Sequence, residues 1–445
     1  MINRVIFIFT LFFCGVSLLA QDESQFPIRI TDVLVFGNER TREEVILREI
    51  PFDFPAELDM EDLQVIQNRL QNLLLFNRVE LGILGEPESY ILTIQVTEFF
   101  YIYPVPLLFI NDRDWGKVSY GFSLTHANFR GLNEKLTVGG WLGYNPAFFL
   151  RYHNPWLGKK SRFILGFSMG ARKVQNKLSS VADSDSIFNE SHLGTGFTLG
   201  RRLTLHTSIQ ANFYFQRIAF PEPRKHETVS GTGVDLIPKV GFHYLIDHRD
   251  VITYPRKGYM ALWSVTRAGF TSRQPNFWRF NFDHRLYFKL TDRISIGGRN
   301  LLKVNHVLNN GGELPTYDRI FIGFLDRIRG YFNRTFPEDN LPANNIMMQF
   351  VEARIDLVPI RYFTWKDAPF LGEFFKQLKY GLSLGLFADT GIAWHKSEEF
   401  GLKRFFTGFG AGLHFHVPYA QILRLDYAIN DRGKGELIFE VGVVF

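Results

Sequence analysis

The sequence runs to 445 residues, with 50 Lys and Arg against 45 Asp and Glu, a net charge of +5 and a single Cys. That balance carries no strong single-sign field, so nucleic-acid binding has no compositional support, and one Cys excludes a disulfide within the chain. Apolar and polar residues are finely mixed, with mean hydropathy −0.06 and no 18-residue apolar run after residue 20, which excludes helical spans and leaves a β-barrel as the way across a bilayer.

Residues 1–20, MINRVIFIFTLFFCGVSLLA, place Arg4 ahead of an apolar run that ends at Ala20, the layout of a secretory signal peptide. Cleavage is expected near Ala20 and Gln21, with the bulky Leu18 leaving the position open by a few residues. A lipoprotein reading through Cys14 is the weaker one, because Phe13 precedes it and GVSLLA continues the apolar run. Cleavage would leave 49 basic against 45 acidic residues, a net of +4.

From 26 to 99 strands alternate with helices. IRITDVLVFG, Ile28 to Gly37, reads as a strand closed by a glycine, and Thr41 with Glu44 three residues later reads as a capping box opening the helix REEVILREI. A second helix is expected from Asp59, with Leu63, Ile66, Leu70 and Leu73 or Leu74 along one stripe, ending at Phe76. Two strands follow, RVELGIL and YILTIQVTE. The order β-α-α-β-β, with Gly37 and Asn38 before Thr41 and Glu98 closing the last strand, resembles one POTRA (polypeptide-transport-associated) domain. That resemblance implies contact with client chains or accessory proteins from the periplasm, in part by adding a client strand to a sheet edge. The plainer reading is a spacer packed against a barrel mouth.

After residue 100 a two-residue alternation replaces helical spacing. Sixteen strands are predicted, at 101–110, 116–127, 133–143, 146–153, 160–174, 190–199, 203–217, 234–247, 257–270, 277–290, 293–307, 345–357, 379–391, 403–416, 419–430 and 434–445, the even number a single-chain bacterial barrel requires. With the small domain in the periplasm, the long gaps 175–189, 218–233, 308–344 and 392–402 fall on the extracellular side and the turns 200–202, 291–292 and 417–418 on the periplasmic side. The connection 358–378 is the exception, and is expected to be an amphipathic segment at the inner interface. The fold class is therefore mainly β: a 16-stranded antiparallel transmembrane β-barrel over 100–445 preceded by one small domain.

Two spellings of G-x-S-x-G, at Gly166–Gly170 and Gly381–Gly385, match a hydrolase elbow, but both lie inside alternating strands with no helix after them. His414 and His416 share one strand face without a third ligand, and Gly408, Gly410 and Gly412 precede no helix that would receive a phosphate. No catalytic residue, metal site or cofactor is assigned. In the last strand Leu437, Phe439, Val441, Val443 and Phe445 are expected to face lipid, and Glu436, Ile438, Glu440 and Gly442 the interior. A charge on the lipid face would cost roughly 2–4 kcal/mol for Arg or Lys at the midplane and less for Glu.

The longest gap contains Ile328-Arg329-Gly330-Tyr331, between the eleventh and twelfth predicted strands. It resembles the R-G-F/Y tip of the sixth extracellular loop in the BamA/TamA-type outer-membrane protein assembly and transport superfamily, which includes two-partner secretion. There the loop folds back into the lumen. A buried guanidinium must be paired, and two carboxylates stand where the family places them, Glu352 and Asp389, the latter in Phe387-x-Asp389-x-Gly391, which resembles the family's F-x-D-x-G pattern; the resemblance implies that Arg329 meets Asp389 with Glu352 nearby. Asp247, Arg249, Asp250, Pro255 and Gly258 match the family's D-x-R-D…P-x-x-G inner turn. Asn128-Phe129-Arg130-Gly131 and Asn154-Pro155-Trp156 look familial at two other inner turns. An aromatic Phe445 after Gly442 resembles the assembly signal of outer-membrane barrels (bacterial surface antigen type).

The resemblance implies an accessory insertion or assembly factor without enzymatic chemistry. It would act in the outer membrane of a Gram-negative bacterium, through a lateral seam between the last strand and a first strand weakened by Pro104 and Pro106. Implied partners are the outer-membrane lipid bilayer, unfolded outer-membrane or secreted polypeptide clients, and a periplasmic chaperone or accessory lipoprotein. Two alternatives stay open: a two-partner-secretion-like translocation pore for a single partner, although DESQF at 22–26 leaves no room for a plug helix, and a surface-exposed barrel with a passive channel or binding role.

Overall fold

The computed structural model describes residues 27–86, 89–110, 115–158, 161–175, 188–320, 327–331, 343–365, 372–396, 400–401, 405–418, 422–442 and 445. The signal-peptide reading and Cys14 lie outside the described residues.

The first unit contains β1 (Ile28–Phe36), α1 (Glu43–Leu47), β2 (Ala56–Leu58), α2 (Met60–Asn72), β3 (Phe76–Leu84) and β4 (Tyr90–Glu98). Its sheet has the order β2-β1-β4-β3, with β1 and β4 parallel and the other pairs antiparallel. Ile66 and Leu70 from the apolar stripe of α2 meet Ile30, Val79, Leu92 and Ile94 in a closed core. Asp59 and Asp62 cap α2 reciprocally, each carboxylate accepting from the other's backbone N–H at 2.8 and 3.0 Å.

Three details of the sequence reading are corrected here. The short strand β2 was not foreseen, and Phe76 opens β3 rather than closing a helix. Nor does Thr41 cap α1: the N-cap is Arg42 without a side-chain bond, because the buried Thr41 hydroxyl instead pairs with the Tyr101 hydroxyl at 2.8 Å and accepts from Asn128 Nδ2 at 2.9 Å. Burial holds the Tyr101 phenol well above its ordinary range, so it stays a neutral hydrogen-bonding partner.

The second unit is one sheet of sixteen strands, each hydrogen-bonded antiparallel to the next in chain order: β5 (Ile102–Ile110), β6 (Val118–Phe129), β7 (Glu134–Gly143), β8 (Ala147–Leu157), β9 (Phe163–Gln175), β10 (Asn189–Arg202), β11 (Thr207–Ala219), β12 (Val234–Asp247), β13 (Gly258–Ala268), β14 (Phe277–Lys289), β15 (Ile294–Val307), β16 (Asn345–Phe363), β17 (Leu378–Trp394), β18 (Phe406–His416), β19 (Leu423–Asn430) and β20 (Gly435–Val441). Alternation sorts large apolar side chains such as Phe213, Phe242, Trp263 and Phe409 to the exposed outer face, and Ser264, Asp283, Glu352 and Asp389 to the buried inner one. The ladder stops at both ends of the order. Among the described residues no pairing joins β20 to β5.

Strand pairing also corrects the 358–378 connection. β16 and β17 lengthen past two register shifts until Phe363 pairs with Leu378, which shortens the connection, and residues 366–371 of the expected interfacial segment lie outside the described residues. The second correction concerns Phe445. Leu437, Phe439 and Val441 do face outward, 64, 69 and 66% exposed, but Phe445 is fully buried inside. The chain departs from the outward row after Gly442, whose φ of 103° is one that L side chains rarely adopt. The Phe445 ring then packs beside Tyr287 and Phe350, with centroids 6.2 and 6.1 Å away.

The small domain sits against the turns at one end of the sheet, here called proximal. Arg42 N donates to Gly131 O at 3.0 Å in the β6–β7 turn. Glu49 accepts from Arg69 of α2 at 2.6 Å and from Arg202 of β10 at 2.7 Å. Asn72 bridges the β12–β13 turn, donating to Asp250 O at 2.9 Å and accepting from Ile252 N at 2.8 Å. Arg78 donates to Gln377 Oε1 at 2.9 Å, beside β17. Trp156 at the end of β8 lies under the guanidinium groups of Arg48 and Arg202, 5.0 and 4.9 Å from its ring. Burial there lowers the Arg48 guanidinium to about 10, against the opposing pull of Glu49.

Candidate functional site

The loop between β15 and β16 returns to the inner face at Ile328–Tyr331. Arg329 grips Asp389 on β17 in two-point fashion, Nε to Oδ2 at 2.7 Å and Nη2 to Oδ1 at 2.8 Å, and its backbone N–H adds a third bond to Oδ2 at 3.2 Å. Nη1 donates to Glu352 on β16 at 2.7 Å and stands 3.5 Å from Asp426 on β19. Beneath the guanidinium plane lies Phe387, its centroid 3.5 Å away. Each spelled position of Phe387-x-Asp389-x-Gly391 therefore meets the loop: a ring below the cation, a carboxylate at its edge, and at Gly391 a gap that a Cβ would close to 3.1 Å from Ile328.

Backbone contact is equally close. Gly330, at φ 95°, donates to Glu436 of β20 at 3.2 Å and accepts from Asn430 Nδ2 at 2.9 Å. Tyr331 is fully buried, donates its hydroxyl to Asp431 and meets Phe406 edge-on. A Cβ on Gly408 would lie 1.8 Å from the Arg329 carbonyl oxygen, so β18 must carry glycine for the loop to seat.

A second layer of arginines surrounds these carboxylates. Arg354 donates to Glu352 at 2.8 Å, to Pro255 O at 3.0 Å and to Phe445 O at 3.3 Å. Arg424 donates to Asp426 at 2.7 Å and also pairs with Glu440, which Arg327 pairs with from the loop side. Every buried carboxylate of Glu352, Asp389 and Asp426 thus faces at least one guanidinium, the condition for keeping such charges inside.

The inner-turn residues lie just below. Arg249 forks onto Asp247 at 2.8 and 2.7 Å, Asp250 Oδ1 accepts from Val251 and Arg256 N–H groups, and Gly258 at φ 105° clears the His248 carbonyl. Pro255 offers its carbonyl to Arg354, so the turn that holds Asn72 also touches the arginine layer. Asn128 and Asn154 fix the β6–β7 and β8–β9 ends, Asn154 Nδ2 donating to Glu134 at 2.8 Å.

Pro104 and Pro106 lie on β5, far from this cluster in the strand order. Ser383 of the second G-x-S-x-G lies between Asp356 and His416, both at 2.9 Å. Carboxylate and imidazole address the same hydroxyl, whereas a hydrolytic triad needs the carboxylate on the far nitrogen of the imidazole. His414 Nδ1 meets the Tyr254 hydroxyl at 2.8 Å instead of facing His416 across a ligand.

The sequence reading passed over Asp426, Asp431, Arg354 and Arg424, and it placed Glu436 on the inner face without the bond it makes to Gly330. Alternation in LRLDYAIN and QFVEARIDL was the available signal, since Arg424, Asp426 and Arg354 occupy inward positions there. It also missed a second anchor of the same loop: Asp318 takes Lys239 at 3.2 Å, Arg279 stands 3.7 Å from it, and the Tyr317 hydroxyl donates to Asp235.

A family model described as the Omp85 superfamily domain matches residues 128–445. No curated protein sequence matches the chain. Among solved structures the fold is similar to BamA from Haemophilus ducreyi lacking POTRA domains 1-3, at TM-score 0.57 and 16% identity, covering 94% of this chain and 84% of that one. It is also similar to CdiB from Escherichia coli (TM-score 0.59, 12% identity, 94% and 76% covered) and to CdiB from Acinetobacter baumannii (0.51, 15%, 94% and 74%). The family match spans the whole arginine-carboxylate cluster and all but the first strands of the large sheet, and on that ground the protein belongs to the Omp85 superfamily, whose members are outer-membrane insertion or secretion transporters.

Proposed function

We propose that this chain is an accessory insertion factor of the BamA type, which moves unfolded polypeptide into the outer membrane through the seam between β5 and β20. The observation that carries this reading is the interrupted ladder: every strand of the large sheet is paired to its chain neighbour, yet among the described residues the two end strands are not paired to each other. A sheet edge in a bilayer has no water to satisfy it, so an unpaired seam is a place where another strand is favoured to add.

In this reading residues 1–20 are a signal peptide, 26–99 form a periplasmic POTRA-like domain across the proximal turns, and 100–445 form the barrel. Arg329, Gly330, Tyr331, Glu352 and Asp389 lock the returning loop to the wall beside the seam, since Gly330 also bonds to Glu436 on β20 itself. Asp247, Arg249, Asp250, Pro255 and Gly258 shape the turn that holds the small domain. The clients are unfolded outer-membrane polypeptides, met with the help of a periplasmic chaperone or accessory lipoprotein.

Depletion of the protein followed by outer-membrane proteomics tests the proposal. Broad loss of β-barrels is expected. Loss of one secreted protein would replace it with a single-partner translocation pore, and an unchanged outer membrane would refute both.

A further inference from the structure

The outer face of the large sheet is not evenly bulky. A groove of about 1010 Å³ crosses β9 to β14, in the middle of the strand order and away from both end strands. One row of outward residues follows it, each paired to the next across the sheet: Phe163, Arg201, Ile209, Tyr244, Trp263 and Phe282. In the neighbouring outward row Ala211 stands between Leu199 and Phe242, with Val265 and Phe280 beyond. Leu199, Ile209 and Phe242 are exposed around the short Ala211 side chain, which leaves the hollow.

The groove climbs from the proximal end. Phe163 opens β9 and Arg201 is the penultimate residue of β10, beside a turn on the small domain's side, whereas Phe280 and Phe282 lie mid-strand in β14. Five strand spacings make a path of about 24 Å, and strands tilted roughly 35–45° turn it into a rise of about 15 Å. That is half of a hydrocarbon core about 30 Å thick, so the groove spans one leaflet. Its polar groups are sorted in the same direction. Arg201, at the shallow end, is the only Lys or Arg among the described lining residues. Its side chain is exposed and meets no carboxylate or carbonyl among the described residues, while the adjacent Arg202 turns inward to Glu49 at 2.7 Å. Deeper in, the Trp263 indole N–H is already met by His284 at 2.5 Å.

We infer that this groove is a binding site for one anionic glycerophospholipid of the proximal leaflet, with its phosphate on Arg201 and an acyl chain laid past Ala211 and Val265 toward Phe280. A planar guanidinium forks onto phosphate oxygens, and at the shallow end it reaches headgroup level without crossing hydrocarbon. Lipid tails are as apolar as leucine, so the hollow by itself holds a chain through packing and does not choose among lipids. The choice is made by Arg201: one basic residue near a membrane surface favours an anionic headgroup by about fivefold.

The test titrates the full chain, purified in detergent, with phosphatidylglycerol and with phosphatidylcholine of the same acyl chains, and reads lipid binding by native mass spectrometry. One phosphatidylglycerol per chain is expected to bind about fivefold more tightly than phosphatidylcholine. Arg201→Gln should erase that preference and Arg201→Lys should keep most of it. Ala211→Phe, or Ala211→Leu should the larger ring prevent folding, should weaken both lipids by filling the hollow, with resistance to unfolding in detergent kept. In vesicles, phosphatidylglycerol carrying a diazirine in its acyl chain should label β10 to β13 above the rest of the outer face. Equal binding of the two lipids by the unchanged chain would overturn the inference. Label spread evenly around the outer face, with Arg201→Gln and the Ala211 variants silent, would overturn it too, as the mark of ordinary bilayer contact.

Discussion

Arg329 illustrates what a single buried charge demands. With three carboxylates and a ring arranged around one guanidinium, its removal leaves Asp389 and Glu352 buried beside fewer cations. Arg329→Ala is expected to cost about 3–5 kcal/mol, the range for breaking a buried pair from one side, read as a lower unfolding temperature in detergent. Arg329→Lys should recover only part of this, because an ammonium cannot fork onto Asp389 or lie flat on Phe387. Gly408→Ala isolates the loop from the charge: its Cβ would meet the Arg329 carbonyl at 1.8 Å, so the loop should become protease-sensitive while the sheet still resists unfolding. Asp389 and Glu352 were legible as partners from local spelling. Asp426 and Arg354 were not, since nothing in a linear pattern tells which inward residues of distant strands converge on one point.

Among elements, β5 is an edge strand by composition: IYPVPLLFI is apolar on both faces and carries its prolines in one register. Pro104→Val with Pro106→Val restores two edge donors, so a β5–β20 ladder should form. The expected outcome is a higher unfolding temperature together with reduced client insertion, the two measured on the same preparation. Strand positions followed from alternation, within a few residues. The exceptions have physical causes: Gly442 at positive φ lets the chain leave its outward row, and β16 and β17 extend because their register shifts carry the pairing toward the small domain. Alternation reports which face a residue takes while a strand lasts, and it is silent on where the strand bends away.

Across the whole molecule, hydrogen bonds run without a gap from the small domain to the returning loop: Asn72 to the 250–252 turn, Pro255 to Arg354, Arg354 to Glu352, and Glu352 to Arg329. Arg202 and Glu49 make a second tie between the units. A double-mutant cycle of Glu49→Ala and Arg202→Ala should show a coupling of about 0.5–3 kcal/mol, measured as protection of the small domain from limited proteolysis. Taken alone, the sequence determined the class of fold, because sixteen alternating segments without a long apolar helix admit few other solutions, and it determined the charged residues a returning loop would require. Tertiary structure decided the rest: that Phe445 turns inward to stack on Tyr287, and that Thr41 bonds to Tyr101 and Asn128 instead of capping a helix. Those outcomes depend on contacts between residues 60 to 158 positions apart, and a linear pattern of side chains does not encode them.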